Sequence, residues 1–140
     1  MRYRSKSLAT WLALLLGATG LHRVYLYGAR DWLAWSHLVP TAAGLVGVTR
    51  MRNLGQDDQL AWLLIPILGL MLSQAALVAI IWGLTPDERW HQRFNAAQAM
   101  RPTRWAPVLG AVLALLLGGT ALMGTIAFSG QKFFEWQLGR

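Results

Sequence analysis

The chain has 140 residues, 55% of them hydrophobic and 14% charged, with a net charge of +7 and no cysteine. That length suits one compact domain, but the balance is too apolar for a soluble one. Absence of cysteine excludes disulfides, thiolate catalysis and cysteine-zinc sites, and the excess of cations lacks the aromatic and basic interleaving of a nucleic-acid interface.

The first apolar span is Leu8 to Leu21, whose only polar side chains are Thr10 and Thr19. The second runs from Trp32 to about Val48, and the short turn between them predicts a tight antiparallel hairpin. Ala61–Leu84 and Trp105–Phe128 follow, each 24 residues without a charged side chain. About 20 such residues cross the ~30 Å hydrocarbon core of a bilayer. Helices are the form that satisfies backbone hydrogen bonds in lipid, and a chain this short cannot bury two of them on every side. The sequence therefore predicts an all-α integral membrane protein with four transmembrane helices as two antiparallel hairpins, residues 1–52 and 53–140. Cations collect just outside the spans, and Trp32, Trp35, Trp62, Trp82 and Trp105 fall near their boundaries, as interfacial anchors do.

Between the third and fourth spans, Thr85-Pro86-Asp87-Glu88 reads as a helix start. Thr85 would be the N-cap, Pro86 the first helical residue and Glu88 the reciprocal partner of a capping box. Pro102 would end that helix. Trp90, Phe94 and Ala97 share one face, which predicts a short amphipathic helix near 86–100 lying on the membrane surface; an ordinary solvated loop helix is the alternative. Leu12–Gly20 echoes Leu113–Ala121, but the flanks do not match and no duplication is inferred.

The stretch GLHRVYLYG, residues 20–28, follows the first span directly. A first span of about 14 residues covers only ~21 Å at 1.5 Å per residue, so the turn must dip toward the hydrocarbon. Arg23 can snorkel, Tyr25 and Tyr27 suit head-group depth, and Gly28 permits a sharp reversal. Asp31 can pair with Arg30 or cap the second helix. A basic start, a short apolar core and the small residues Ala18 and Gly20 also describe a cleavable signal peptide; the constrained turn after Gly20 argues for retention.

The run Leu16-Gly17-Ala18-Thr19-Gly20-Leu21-His22-Arg23-Val24-Tyr25-Leu26 resembles the hallmark Leu-Gly-x-x-Gly-x-His-Arg-Phe-Tyr-Leu-Gly of the two-transmembrane-helix domain family, or TM-two domain. Val24 stands at the Phe place and Tyr27 at the last Gly place, with Gly28 one step later. Asp31–Leu38, Thr85–Trp90 and Arg93–Ala96 are similar to a proteobacterial branch carrying a second helical pair. The hallmark covers roughly the first 50 residues and the branch likeness most of the chain. The resemblance implies a multi-pass protein of the bacterial inner membrane with no assigned chemistry, and it carries over no catalytic residue.

Ionisable and amide groups inside spans are the remaining candidates. His37 lies inside the second span, and with His22 it would form a metal or proton site if the hairpin joined the rings. Two histidines without a nearby carboxylate make a poor metal site, and a neutral hydrogen-bonded histidine is the plainer reading. Ser73 and Gln74 occupy the middle of the third span, where an amide should face another helix. Gly110, Ala114 and Gly118 are spaced for close helix packing, against this chain or another, with Ala13 and Gly17 a candidate surface within it. No catalytic constellation, metal set or cofactor loop is predicted.

Alternate-side counting gives seven cations with the termini (Arg2, Arg4, Lys6, Arg50, Arg52, Lys132, Arg140) against six, so orientation stays open and dual topology is conceivable. The functional expectation is a non-enzymatic accessory or scaffold in the lipid bilayer, acting by helix–helix association as a homo-oligomer or with a membrane partner. The alternative is a small oligomeric transporter or channel subunit using His37 and Gln74; lipid sensing by the 85–104 helix is a third reading. No nucleic-acid partner is expected.

Overall fold

A computed structural model describes residues 2–139, and its element order is α1 (Lys6–Leu16), α2 (Leu21–Tyr27), α3 (Trp32–Ser36), α4 (Leu38–Leu54), α5 (Gln59–Leu84), α6 (Asp87–Phe94) and α7 (Ala106–Leu138). The described residues contain helices and no strand. α5 and α7 are each long and apolar enough to cross a bilayer.

Glycines and alanines set the packing. A Cβ on Gly69 would strike the Thr125 side chain, one on Gly118 would lie 2.3 Å from Ala76 Cβ, and one on Gly83 would lie 2.5 Å from the Pro107 carbonyl oxygen. Those three pairs fix an antiparallel register of α5 on α7 along their length. Gly44 against Leu68 and Gly47 against Leu64 fix α4 antiparallel to α5 in the same way. α1 fills the third side: Gly17 meets Ala75, and Thr10 meets both Gly83 and Gly110. Small residues therefore occupy the interior, where Ala13, Ala76, Ala79 and Ala114 make one buried cluster. Large apolar residues face outward, including Leu63, Leu115 and Met123 at 68%, 64% and 70% exposure.

The first limb departs from the predicted hairpin. α1 stops at Leu16, and the chain turns through a 3-10 turn at Gly17–Thr19 and reverses at Gly20, whose φ is +81°. L-residues rarely hold that conformation, and a Cβ here would lie 2.0 Å from the Ala34 carbonyl oxygen. α2 then runs back beside α1, so that the Tyr25 hydroxyl reaches the Ser5 amide at 2.8 Å. Eleven residues of helix cover only ~16 Å, about half a hydrocarbon core. Leu8–Leu21 is thus not a full crossing, and the tip at residues 28–31 lies at the same end of the bundle as the N-terminus. Four spans in two hairpins give way to three long layers, the kinked α3–α4 segment, α5 and α7, with a short returning limb packed among them. Asp31 caps α3 through the Leu33 amide, and α3 gives way to α4 at His37, ahead of Pro40.

The segment between α5 and α7 also differs from its predicted form. The Thr85 hydroxyl donates back to the Ile81 carbonyl at 2.6 Å, so it closes α5 and does not cap α6. α6 starts at Asp87 with Pro86 at its N-cap and ends at Phe94, well short of Pro102. Its end is set by Asn95, whose amide is committed elsewhere: Oδ1 accepts from the Arg4 backbone N–H at 2.8 Å, and Nδ2 donates to the Arg4 carbonyl at 3.0 Å. The apolar face of α6 packs on the chain itself. Trp90 is buried against Ala9 and Leu26, with Phe94 and Trp82 packed around them.

Candidate functional site

The stretch GLHRVYLYG proves to be the part that ties one end of the molecule together. Gly20 makes the reversal described above and Gly28, with φ +93°, ends α2. Between them the side chains alternate in purpose. His22 points inward and is 1% exposed, and Leu26 is buried under Trp90. Arg23 turns the other way, donating to Asp31 at 2.8 Å while its guanidinium lies 5.0 Å from the Tyr27 ring centre. Asp31 therefore pairs with Arg23 and not with Arg30. The Tyr25 hydroxyl accepts from the Ser5 amide at 2.8 Å, and the Tyr27 hydroxyl accepts from Arg93 at 3.2 Å. So α2 anchors the N-terminal segment and α6 from one short run of residues.

Beneath this anchor the returning limb brings His22 and His37 together. Their ring centres are 5.5 Å apart and nearly perpendicular, and Trp82 lies 5.4 Å from His22. His37 Nδ1 donates to the Leu33 carbonyl at 2.6 Å, since a carbonyl oxygen can only accept. That bond requires a proton on Nδ1. His22 Nδ1 is buried without a hydrogen-bond partner among the described residues. No cluster of three or more His, Cys, Asp or Glu side chains suited to a metal ion occurs among the described residues.

The strongest polar node is one that periodicity did not single out. Lys6 is ion-paired with Asp87 and donates to the Thr85 carbonyl at 2.9 Å. Asp87 also accepts from the Thr103 backbone N–H at 2.8 Å and from its hydroxyl. Burial disfavours the charged carboxyl, but the hydrogen bonds from Lys6 and Thr103 outweigh it and hold Asp87 below its ordinary range. Trp90 Nε1 donates to the Arg4 carbonyl at 2.8 Å, next to the Asn95 bonds. In sequence Lys6 looks like a tail charge and Asp87 like a helix start; they lie 81 residues apart and become partners only through the packing of α1 on α5.

The remaining candidates separate. Gly110, Ala114 and Gly118 all face inward, toward Thr10 and Trp11, the Ala13 cluster, and Ala76 respectively. The ladder is occupied by this chain's own α1 and α5. Ser73 donates to the Gly69 carbonyl at 2.8 Å within its helix. Gln74 is exposed and lines a groove between α5 and α7. It does not face His22 or His37, so no single polar site contains all the predicted residues.

The contacts also sort the charges. Arg2, Arg4, Lys6, Arg23, Arg30, Arg89, Arg93, Arg101 and Arg104 all lie in the segments tied together at the end that carries Asn95 and Asp87. The opposite end holds Arg50, Arg52 and Lys132, where Arg50 pairs with Asp58 at 2.8 Å and Lys132 lies over the Trp62 ring. Arg140 lies outside the described residues. No protein-family model matches the chain, and neither does any curated protein or solved structure.

Proposed function

We propose that this chain is a multi-pass protein of the bacterial inner membrane, with three crossings (α3–α4, α5 and α7), a returning half-length limb (α1–α2), and its nine-cation end in the cytoplasm. The observation that carries this reading is the inverted packing. Core helices of a soluble protein hide their apolar side chains, whereas only 17% of the apolar window of α5, and of α7, is buried. Outward leucines over an alanine and glycine interior are stable in lipid, where packing of small residues replaces the hydrophobic effect between helices. Irregular backbone at Gly17–Gly20 is acceptable at that depth because it is covered by Ala34 and Ala75. The returning limb also breaks the near tie of cations expected from four crossings, and among the described residues nine against three favours one orientation.

Within the membrane the chain acts as a non-enzymatic accessory or scaffold protein. The resemblance to the TM-two domain supports this, since its hallmark residues here serve to fasten α2 to the N-terminal segment and α6. A small transporter or channel subunit is the second reading, favoured by one observation: two interrupted helical segments meet at His22 and His37, as interrupted helices do at transporter sites. Flux through proteoliposomes of the pure protein, lost in His37→Ala, would select it.

The test of the main reading is a set of reporter fusions at Gln56, Gln98 and after Gly139. Alkaline phosphatase activity, which requires export, is expected at Gln56 and after Gly139 and not at Gln98. Recovery of the folded chain from the aqueous fraction, or the same reporter result at Gln56 and Gln98, overturns it.

A further inference from the structure

Gln74 poses a solvation problem that the single chain does not solve. It lies fifteen residues into α5, close to the midpoint of a helix of 26 residues. Its side chain is exposed and makes no hydrogen bond among the described residues. On the membrane reading above, on which this inference rests, that amide sits about 15 Å from either edge of the hydrocarbon core. A glutamine side chain is far too short to reach head groups from there, and an unpaired amide in hydrocarbon is costly.

The surroundings of Gln74 show where a partner fits. With Ser73 and Leu77 on α5, and Gly118, Gly119 and Leu122 on α7, it lines a groove of about 390 Å³. A Cβ on Gly119 would meet nothing within 4 Å, so the groove floor is open on the side away from the chain's own helices. Gly110, Ala114 and Gly118 of α7 are already claimed by α1 and α5.

We propose that the protein forms a symmetric parallel dimer in the membrane, with Gln74 of one copy hydrogen-bonded to Gln74 of the other across the groove between α5 and α7. A carboxamide carries both a donor and an acceptor, so it is its own complement. A two-fold axis along the bilayer normal sets like residues opposite one another at equal depth. The one-sided cation distribution gives both copies the same orientation, which that axis requires. A histidine or carboxylate partner would need a different protein; a second copy needs nothing further.

The absence of cysteine makes the test direct. Leu77→Cys places a lone thiol in the same groove and keeps the amide; Leu72→Cys places one at similar depth on the groove of the other face. Oxidation in native membranes should give a band at twice the 15.6 kDa chain mass for Leu77→Cys and not for Leu72→Cys. Adding Gln74→Leu should weaken association about 3- to 30-fold, the range for amide bonds between membrane helices, and Gln74→Asn should restore most of it. Equal crosslinking at both positions, crosslinking at Leu72→Cys alone, or no effect of Gln74→Leu overturns the dimer. A monomer that co-purifies with another protein overturns it too. If reporter fusions still show membrane insertion, these results leave the membrane reading standing; loss of insertion sinks that reading first.

Discussion

The pair Lys6 and Asp87 offers the sharpest test of how the ends are held. Their side chains are 7% and 21% exposed, and the pair joins the first turn of α1 to the first turn of α6. Removing one partner of a buried pair costs about 3–5 kcal/mol because the other charge is stranded. In Asp87→Asn, Lys6 keeps the Thr85 carbonyl and the new amide oxygen still accepts from Thr103, so the low end applies, about 3 kcal/mol. Lys6→Met in the same background removes the stranded charge, and the double variant should lie within about 1 kcal/mol of the parent. Lys6→Met should therefore recover about 2 kcal/mol in the Asp87→Asn background, whereas alone it should destabilise by stranding Asp87, so the two changes are strongly coupled and not additive. Tryptophan fluorescence during unfolding in mixed micelles measures this, since Trp90 packs beside the node. Additive single effects, or a coupling under about 0.5 kcal/mol, would refute the reasoning.

Other expectations follow from the same contacts. Because the folded Asp87 carboxyl lies below its ordinary 3.8, its stabilisation is complete above that value and is lost as pH falls through the folded pKa; unfolding midpoints should drop in that acid window, and much less in the Lys6→Met/Asp87→Asn variant. Gly20→Ala combines a left-handed backbone, worth about 1–2 kcal/mol, with a clash against Ala34, and should release the α1–α2 limb to proteolysis at Gly28–Arg30. Gly118→Leu should destabilise the monomer by at least the 1–3 kcal/mol typical of overpacking, whereas Gly119→Leu should leave unfolding unchanged and weaken only association between copies. Asn95→Ala orphans the Arg4 amide and should cost about 1–3 kcal/mol, read by the same unfolding assay.

The long helices are legible in the sequence because length and absence of charge decide them locally: Ala61–Leu84 falls inside α5, and Trp105–Phe128 nearly all inside α7. The reversal at Gly20 is not legible. A run of apolar residues looks the same whether it crosses a bilayer or returns, and what forces the return is the approach of Ala34 and Ala75, distant in sequence. The end of α6 hides for the same reason, because Asn95 stops it by bonding to Arg4. Spacing identifies Gly110, Ala114 and Gly118 as a packing face but is blind to which helix they meet. His22 and His37 are the opposite case: the residue types mark them as a candidate pair, and the reversal that spacing misses is what joins them.

The short returning limb carries a consequence for biogenesis. Beyond the adjacent α2, the surfaces that receive the N-terminal limb belong to residues made much later: Ala75 and Gly83 on α5, Gly110 and Ala114 on α7, Asp87 and Asn95 between them. A nascent chain emerging in order therefore completes the seat of its first helix only once more than a hundred residues have been synthesised, although α2 and α5 supply parts of it earlier. The contacts of the leading segment thus close in stages, and those with α7 come last.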